Sequence, residues 1–263
     1  MDASVLRYWT FLVRYSIFEL YMQILHETSD FIIVNKPADL LSIPDRFLTG
    51  KPNVLQQLQA KYGDTIFVCH RIDRETSGIM VFARNEAAHR SINMQFESRT
   101  TEKIYYAIVE GVLHETEGEI NKPIGTHPTI PNKQIIAKTG KPSLTLFKLI
   151  EQFKGYALVE ADIKTGRMHQ IRVHFQSIGY PLAVDSIYGR KTNFCLSEIK
   201  HKKFKLGKYV EDERPLMSRT TLHAFRLVFD DPTTGERLRF EADPPKDFLA
   251  MLQQLRKWNM VKS

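Results

Sequence analysis

The feature that most restricts how this chain folds is a nine-residue polar insert between two apolar runs. Thr65–Cys69 (TIFVC) and Ile79–Ala83 (IMVFA) are short, rich in β-branched and aromatic residues, and read as buried strands. Between them lies His70–Arg71–Ile72–Asp73–Arg74–Glu75–Thr76–Ser77–Gly78, four of whose residues are charged. So polar a connection belongs at a sheet edge or in a cleft, where function is commonly placed on a rigid scaffold. Asp73 stands between Arg71 and Arg74. An ionised, oriented carboxylate there can serve as nucleophile or base. On residue types alone a structural role is equally open, in which Asp73 satisfies turn amides or an arginine.

The rest of the chain reads mainly as strands with helices interspersed. Asp30–Lys36 (DFIIVNK), closed by Pro37, is a strand, with Ile24–Leu25 before it. Asn53 caps a helix carrying Val54, Leu55, Leu58 and Tyr62, which Gly63 stops; Asn85 begins a second with Ala88, Ile92 and Phe96 on one face. In Ile104–Val109 (IYYAIV) the alternation sets Ile104, Tyr106 and Ile108 against Tyr105, Ala107 and Val109, which lets Tyr105 point into a cleft while Ile104 and Ile108 pack the core; on residue type alone Tyr105 reads as an ordinary strand aromatic. Leu144–Ile150 and Tyr156–Ile163 are further strands. A helix follows His169, with Gly179 and Pro181 beyond its end. Ala224–Phe229 and Arg237–Glu241 form a hairpin through DPTTG, and Phe248, Leu252, Leu255 and Trp258 mark a closing helix. This irregular order predicts an α+β fold with a large mixed, mainly antiparallel sheet.

A net charge of +7 over 263 residues favours an anionic partner, with nucleic acid first. The basic run His201–Lys205 (HKKFK) is either a solvated loop or an RNA-backbone contact. Cys69 and Cys195 have no disulfide or zinc spacing, which suits a reducing cytoplasm. The apolar stretch Val5–Leu25 is interrupted by Arg7, Arg14 and Glu19, and no membrane span is expected. Leu6, Trp9, Val13, Ile17, Leu20 and Ile24 fall at helical spacing and suit a docking helix. Alternatively, translation starts at Met22, which the intact mass of the native protein would decide.

A second polar cluster, Thr165–His174 (TGRMHQIRVH), gathers two arginines and two histidines around a helix start, where amides and cations suit a phosphate or carboxylate. His169 and His174 are five apart, one more than aligns two ligands on a helical face, so no metal site is expected. His174 reads as a hydrogen-bonded core histidine.

Together these segments resemble one family. HRIDRETSG is similar to the HRLD-x-x-TSG signature of the RluA-type pseudouridine synthases, and FIIVNKPADL to the strand near the start of their domain. KIYYAIVEG resembles K-x-Y-x-A-x-V-x-G, TGRMHQIRVHFQSIGYPL resembles TGRTHQIRVHL-x-x-IGHP-I, and TTLHAFRLVF resembles the closing LHA-x-x-L-x-F hairpin. The resemblance runs from about Ile24 to the end. It implies a pseudouridine-synthase-like catalytic domain with a central cleft over residues 22–263, preceded by a 1–21 extension too short for the S4 RNA-binding domain of many relatives. It implies Asp73 as catalytic residue, Tyr105 against the target base and with a possible role as base, and Arg172 paired with Asp73. The substrate-binding set is Arg71, His70, Thr76, Arg167, His169 and Gln170.

The implied activity is a cofactor-independent isomerisation of uridine in a ribosomal or transfer RNA stem-loop, with no obligatory protein partner. Two positions depart from the family pattern: Val184 stands before Asp185 where glycine is common, and Asn132 before Lys133 where arginine is. Two other classes compete, a catalytically silent RNA-binding module and a glycosidase-like hydrolase. The hydrolase lacks a second carboxylate suited to act as acid, since Glu75 shares the loop of Asp73.

Overall fold

The computed structural model describes residues 22–45, 50–63, 65–207 and 212–261. The docking helix expected within the first 21 residues lies outside them. Among the described residues there are twelve strands: β1 (Gln23–Glu27), β2 (Phe31–Lys36), β3 (Phe67–Val68), β4 (Ser77–Ala83), β5 (Glu102–Glu110), β6 (Glu117–Asn121), β7 (Ile124–Thr126), β8 (Gln134–Ile136), β9 (Leu144–Phe153), β10 (Tyr156–Ile163), β11 (Leu222–Asp230) and β12 (Arg237–Glu241). The helices are α1 (Val54–Tyr62), α2 (Glu86–Ser98), α3 (Gln170–Ser177), α4 (Ser197–Lys200) and α5 (Lys246–Trp258), with a 3₁₀ turn at His201–Lys203. Ten strands form one sheet in the order β1-β2-β4-β11-β5-β10-β9-β6, with β12 beside β11 and β3 beside β4; β7 and β8 pair separately. Every pairing in the large sheet is antiparallel except β4 with β11. The fold is α+β, with the mixed, mainly antiparallel sheet that the patterning predicts.

Local sequence explains the helix ends. The Asn53 side chain accepts from Gln56 N and that of Asn85 from Ala88 N, satisfying amides that the first helical turn leaves orphaned. Gly63 closes α1 at a φ of 94°. The run TIFVC yields only the two-residue β3. β4 pairs with β2 from Gly78 to Ala83, while on its other side Ser77 and Gly78 meet β11 and Phe82 and Ala83 meet β3. Between them Val81 N donates to the His70 ring, so a side chain takes the place where the β3 ladder would continue.

The β4–β11 seam explains why the polar insert ends in Ser-Gly. Gly78 has a φ of 122°, and a Cβ built there would lie 2.2 Å from the carbonyl oxygen of Ala224. Next to it, Ser77 Oγ lies 2.9 Å from Nδ1 of the fully buried His223, whose Nε2 is 2.8 Å from Ala242 O. Burial pushes His223 down to about 4, so the imidazole is neutral. Its Nε2–H then donates to the carbonyl and its Nδ1 accepts from the serine. Gly78→Ala combines a forbidden φ with a backbone clash and is expected to cost about 3 kcal/mol or more. Denaturant unfolding would measure it, and a variant as stable as the parent would remove this account of the seam.

Both faces of the sheet are covered. One core joins β2, β4, α1 and α2 and includes Tyr105, Ala107 and Val109. The other places Ile108, Phe153 and Leu158 against Phe248, Met251, Leu252 and Leu255 of α5. The expected division of β5 is therefore corrected: the face of Tyr105 belongs to the larger core, and Tyr105 reaches a cleft only at the margin of that core. Its neighbours across the ladder are Ala161 and Ala224, small enough to leave the largely buried ring an edge on the cavity.

Candidate active site

The loop before β4 is held from behind by the segment after β2. Ser42 Oγ donates to Ile72 O at 2.7 Å, and Asp39 N donates to Arg74 O at 2.8 Å. Lys36, fully buried, donates through Nζ to the carbonyls of Pro37, Leu40 and Arg74 at 2.9, 2.7 and 3.0 Å. Burial lowers Lys36 to about 7 against the pull of Asp73, Glu75 and Asp39. With its main chain fixed in this way, the loop turns the Asp73 carboxylate into a cavity of about 230 Å³, walled by Arg71, Thr76, Tyr105, Leu222 and the stretch Gly166–Arg172.

Arg172, on α3, is 1% exposed and reaches two carboxylates. Its Nε and Nη2 donate to Asp185 at 2.7 and 2.8 Å, and Nη1 points to Asp73 Oδ2 at 3.4 Å. The forked pair with Asp185 leaves one guanidinium edge for Asp73, and the Tyr188 ring lies 5.2 Å from the guanidinium carbon. Burial opposes the charge on Arg172, yet the hydrogen bonds and charge of Asp185, with Asp73 and Glu75, outweigh it and raise its pKa. Burial also works against the Asp185 anion. Arg172 and the amides of Ile187 and Tyr188 more than offset that and hold its pKa below the ordinary value.

His169 adopts a left-handed φ of 56° just before α3, a conformation uncommon outside glycine. It sets Nε2 3.8 Å from Asp73 Oδ2 and Nδ1 2.9 Å from the Tyr188 hydroxyl. Burial lowers its pKa despite the nearby Asp73, so it faces Asp73 as a neutral ring. Burial first, and the negative charge of Asp73 second, raise the pKa of Tyr105. It therefore rests as a phenol rather than as the phenolate that its expected role as base would use directly.

The expected binding residues divide into two sets. Arg71, Thr76, Arg167 and His169 come together around Asp73. Thr76 Oγ1 and Arg167 Nε are buried without any hydrogen-bond partner, an unmet capacity that a polar ligand would satisfy. Gln170 also touches the cavity, but its side chain is already committed. It accepts from Thr165 Oγ1 and Arg167 N and donates to Leu144 O and Thr145 Oγ1, which holds the turn before α3. His70 faces away: its Nε2 accepts from Val81 N at 3.1 Å, it stacks on Phe96 at 4.8 Å, and burial takes it down to about 3. That neutral acceptor anchors the loop to β4, which corrects its place among the binding residues.

His174, as expected, is a core histidine between Thr145 Oγ1 and Lys122 O. The sequence reading missed Asp185 and Tyr188. Asp185 follows Val184, the position that departs from the family's glycine, but nothing beside it in the chain marks it as the partner of Arg172. Nothing local marks Tyr188, whose hydroxyl accepts from Gln134 N, 54 residues away.

The sequence profile of the RNA pseudouridylate synthase family matches residues 30–177, more than half of the chain. The chain belongs to that family. Its match takes in Asp73, Tyr105 and Arg172 and stops short of Asp185. Among similar proteins, the ribosomal large subunit pseudouridine synthase D of Neisseria meningitidis serogroup B is 34% identical over 246 residues, covering 89% of this chain and 61% of its own length. The uncharacterized RNA pseudouridine synthase YlyB of Bacillus subtilis is 34% identical over 245 residues, covering 90% of this chain and 73% of that protein. The chain thus spans less than two thirds of the Neisseria relative. The solved structure of human RNA pseudouridylate synthase domain containing 4 superposes with a TM-score of 0.70 at 23% identity, covering 95% and 98% of the two chains. Pseudouridine synthases are isomerases of RNA nucleosides. Among the described residues, no helix is long and apolar enough to cross a membrane.

Proposed function

We propose that this chain isomerises a specific uridine in structured RNA to pseudouridine, with Asp73 as nucleophile. The observation that carries the reading is the carboxylate of Asp73, turned into a cavity by a clamped main chain, with one edge of the Asp185-bound Arg172 beside it. In the reaction the N1–C1′ bond breaks, the uracil turns, and C5 bonds to C1′; the C5 hydrogen leaves as a proton and N1 takes one up, so the atoms of the nucleoside are unchanged in number. No electrons are gained or lost and no donor is consumed. Asp73 forms the covalent link to the nucleoside and holds it while the base turns. Arg172 keeps a positive charge against that carboxylate, Tyr105 offers its ring to the uracil, and Thr76 and Arg167 supply the unused polar atoms.

A uridine stacked in a helix does not reach a carboxylate at the margin of a protein core, so the nucleotide flips out or comes from a loop. Arg71, exposed and without an ion pair at the cavity mouth, fills the space left in the RNA stack. Arg71→Ala is expected to lower kcat/KM by about tenfold to a hundredfold, the scale of losing one positioning contact. Unchanged RNA affinity and turnover would remove that role. The name of the Neisseria relative makes large-subunit ribosomal RNA the first substrate to test, with transfer RNA second. A cytoplasmic enzyme, with residues 22–263 as the catalytic unit, is part of this proposal.

The test is tritium release from RNA labelled at uridine C5, prepared from cells lacking the gene, with no methyl donor added. Release by the parent protein supports the proposal. Absence of release from every RNA fraction, with binding intact, would leave a non-catalytic RNA-binding protein.

A further inference from the structure

On the sheet face opposite Tyr105, α5 packs its apolar residues into the second core and ends in Trp258. Three ammonium groups collect over that one indole: Lys200 of α4 at 4.8 Å from the ring centroid, Lys257 at 5.4 Å and Lys203 at 5.8 Å. Lys202 and Lys205 flank them, exposed. Among the described residues, none of these five lysines forms an ion pair. Three carboxylates of the neighbouring segments have partners of their own. Glu198 holds Lys191 and Cys195 N, Glu213 accepts from Ser197 N, and Glu151 pairs with Arg256 at 2.8 Å.

Several cations elsewhere are paired, Arg219 with Asp247, Arg226 with Glu241 and Arg237 with Asp230. What sets the Trp258 group apart is that three ammoniums share one ring. The ring face offsets part of the mutual repulsion of the ammoniums, and a polyanion would remove the rest.

We infer that Trp258 with Lys200, Lys203 and Lys257 forms a second RNA-contact surface, on the far side of the sheet from the cleft. Its occupant is a single-stranded segment flanking the target structure, with phosphates on the lysines and a base on the indole. A cationic track with an aromatic platform is the arrangement that binds such strands without reading sequence. A duplex would bring phosphates but no free base face for the ring. The inference rests on the proposed function for the identity of the polyanion. Lysines alone would serve any polyanion, so the indole is what commits the surface to nucleic acid.

Two measurements on the full-length protein test it. In a Trp9→Phe background Trp258 is the only indole, and titration with an unstructured oligouridine is expected to quench its fluorescence, whereas inorganic polyphosphate leaves it nearly unchanged. Equal quenching by polyphosphate, or none by either, would overturn the inference. Separately, Lys200→Gln/Lys203→Gln/Lys257→Gln is compared with a control of equal charge, Lys51→Gln/Lys61→Gln/Lys246→Gln. On RNA with flanking strands the first triple variant is expected to raise KM about tenfold with kcat unchanged, and to flatten the slope of log KM against log salt by about 2. The control changes neither, and neither variant affects a minimal stem-loop. Equal effects of the two triples would sink the surface while the enzyme still turned over. No turnover by the parent protein would instead count against the proposed function, and the quenching titration would still decide the surface.

Discussion

Asp73→Asn is expected to fold, to bind RNA and to lose turnover by about 10⁴-fold or more, the scale seen when a covalent nucleophile is removed. The substitution is nearly isosteric, and the side chain of Asp73 bears little of the structure around it. The loop is fixed instead by main-chain contacts through Ser42, Asp39 and Lys36. Among the described residues, the one hydrogen bond to the Asp73 side chain is the 3.4 Å contact from Arg172, whose other two donors already satisfy Asp185. Unfolding curves for the variant and the parent should therefore nearly coincide, while tritium release from C5-labelled uridine disappears. Retained release would take the nucleophile's role away from Asp73, whatever the family.

Arg172→Ala is expected to fail twice, in stability and in turnover. It leaves Asp185 buried and 1% exposed without its cation, which costs about 3–5 kcal/mol when one partner of a buried pair is removed. It also strips the charge from beside Asp73. The two effects separate in the double variant Arg172→Met/Asp185→Leu, where apolar side chains replace the pair. Such swaps are commonly neutral or stabilising, but Asp185→Leu also leaves the Ile187 and Tyr188 amides without their acceptor, so this protein should regain part of its stability and still not turn over. A folded and active double variant would show that the pair is only structural.

The same pair sets an acid limit. The folded pKa of Asp185 is depressed, so its contribution is complete above the ordinary aspartate range. It is lost as pH falls through the lower, folded value.

Much of this arrangement was legible in the chain itself. The asparagine caps, the apolar spacing of α1 and α2, and the terminal hairpin are local facts, decided by residues within a few positions of one another. β6 was not legible, because Glu117–Asn121 buries only Ile120 and forms the last strand of the sheet, where no alternation is required. The site divides in the same way. Asp73 stands out because charge interrupts apolar sequence. Gln170 and His70 look like ligands in the one-dimensional pattern, and only the folded chain shows their hydrogen-bonding groups already in use. Asp185 escaped for the opposite reason: a lone acid beside Ala183 and Val184 gives no sign that it secures an arginine 13 positions earlier.

The position of β11 has a consequence for how the protein is made. β11 lies between β4 and β5, joining β1-β2-β4 to β5-β10-β9-β6. Asp73 precedes β4 in the first group, whereas Tyr105 lies on β5 and Arg172 follows β10 in the second. A ribosome that has released everything up to residue 221 has therefore delivered both halves of the site and no strand to unite them. Contacts across more than 140 residues, such as Ser77 with His223, are slow to form because so long a loop must close first. Until they do, two sheet edges rich in apolar residues stand open, and the nascent chain passes through its most aggregation-prone stage just before its site is assembled.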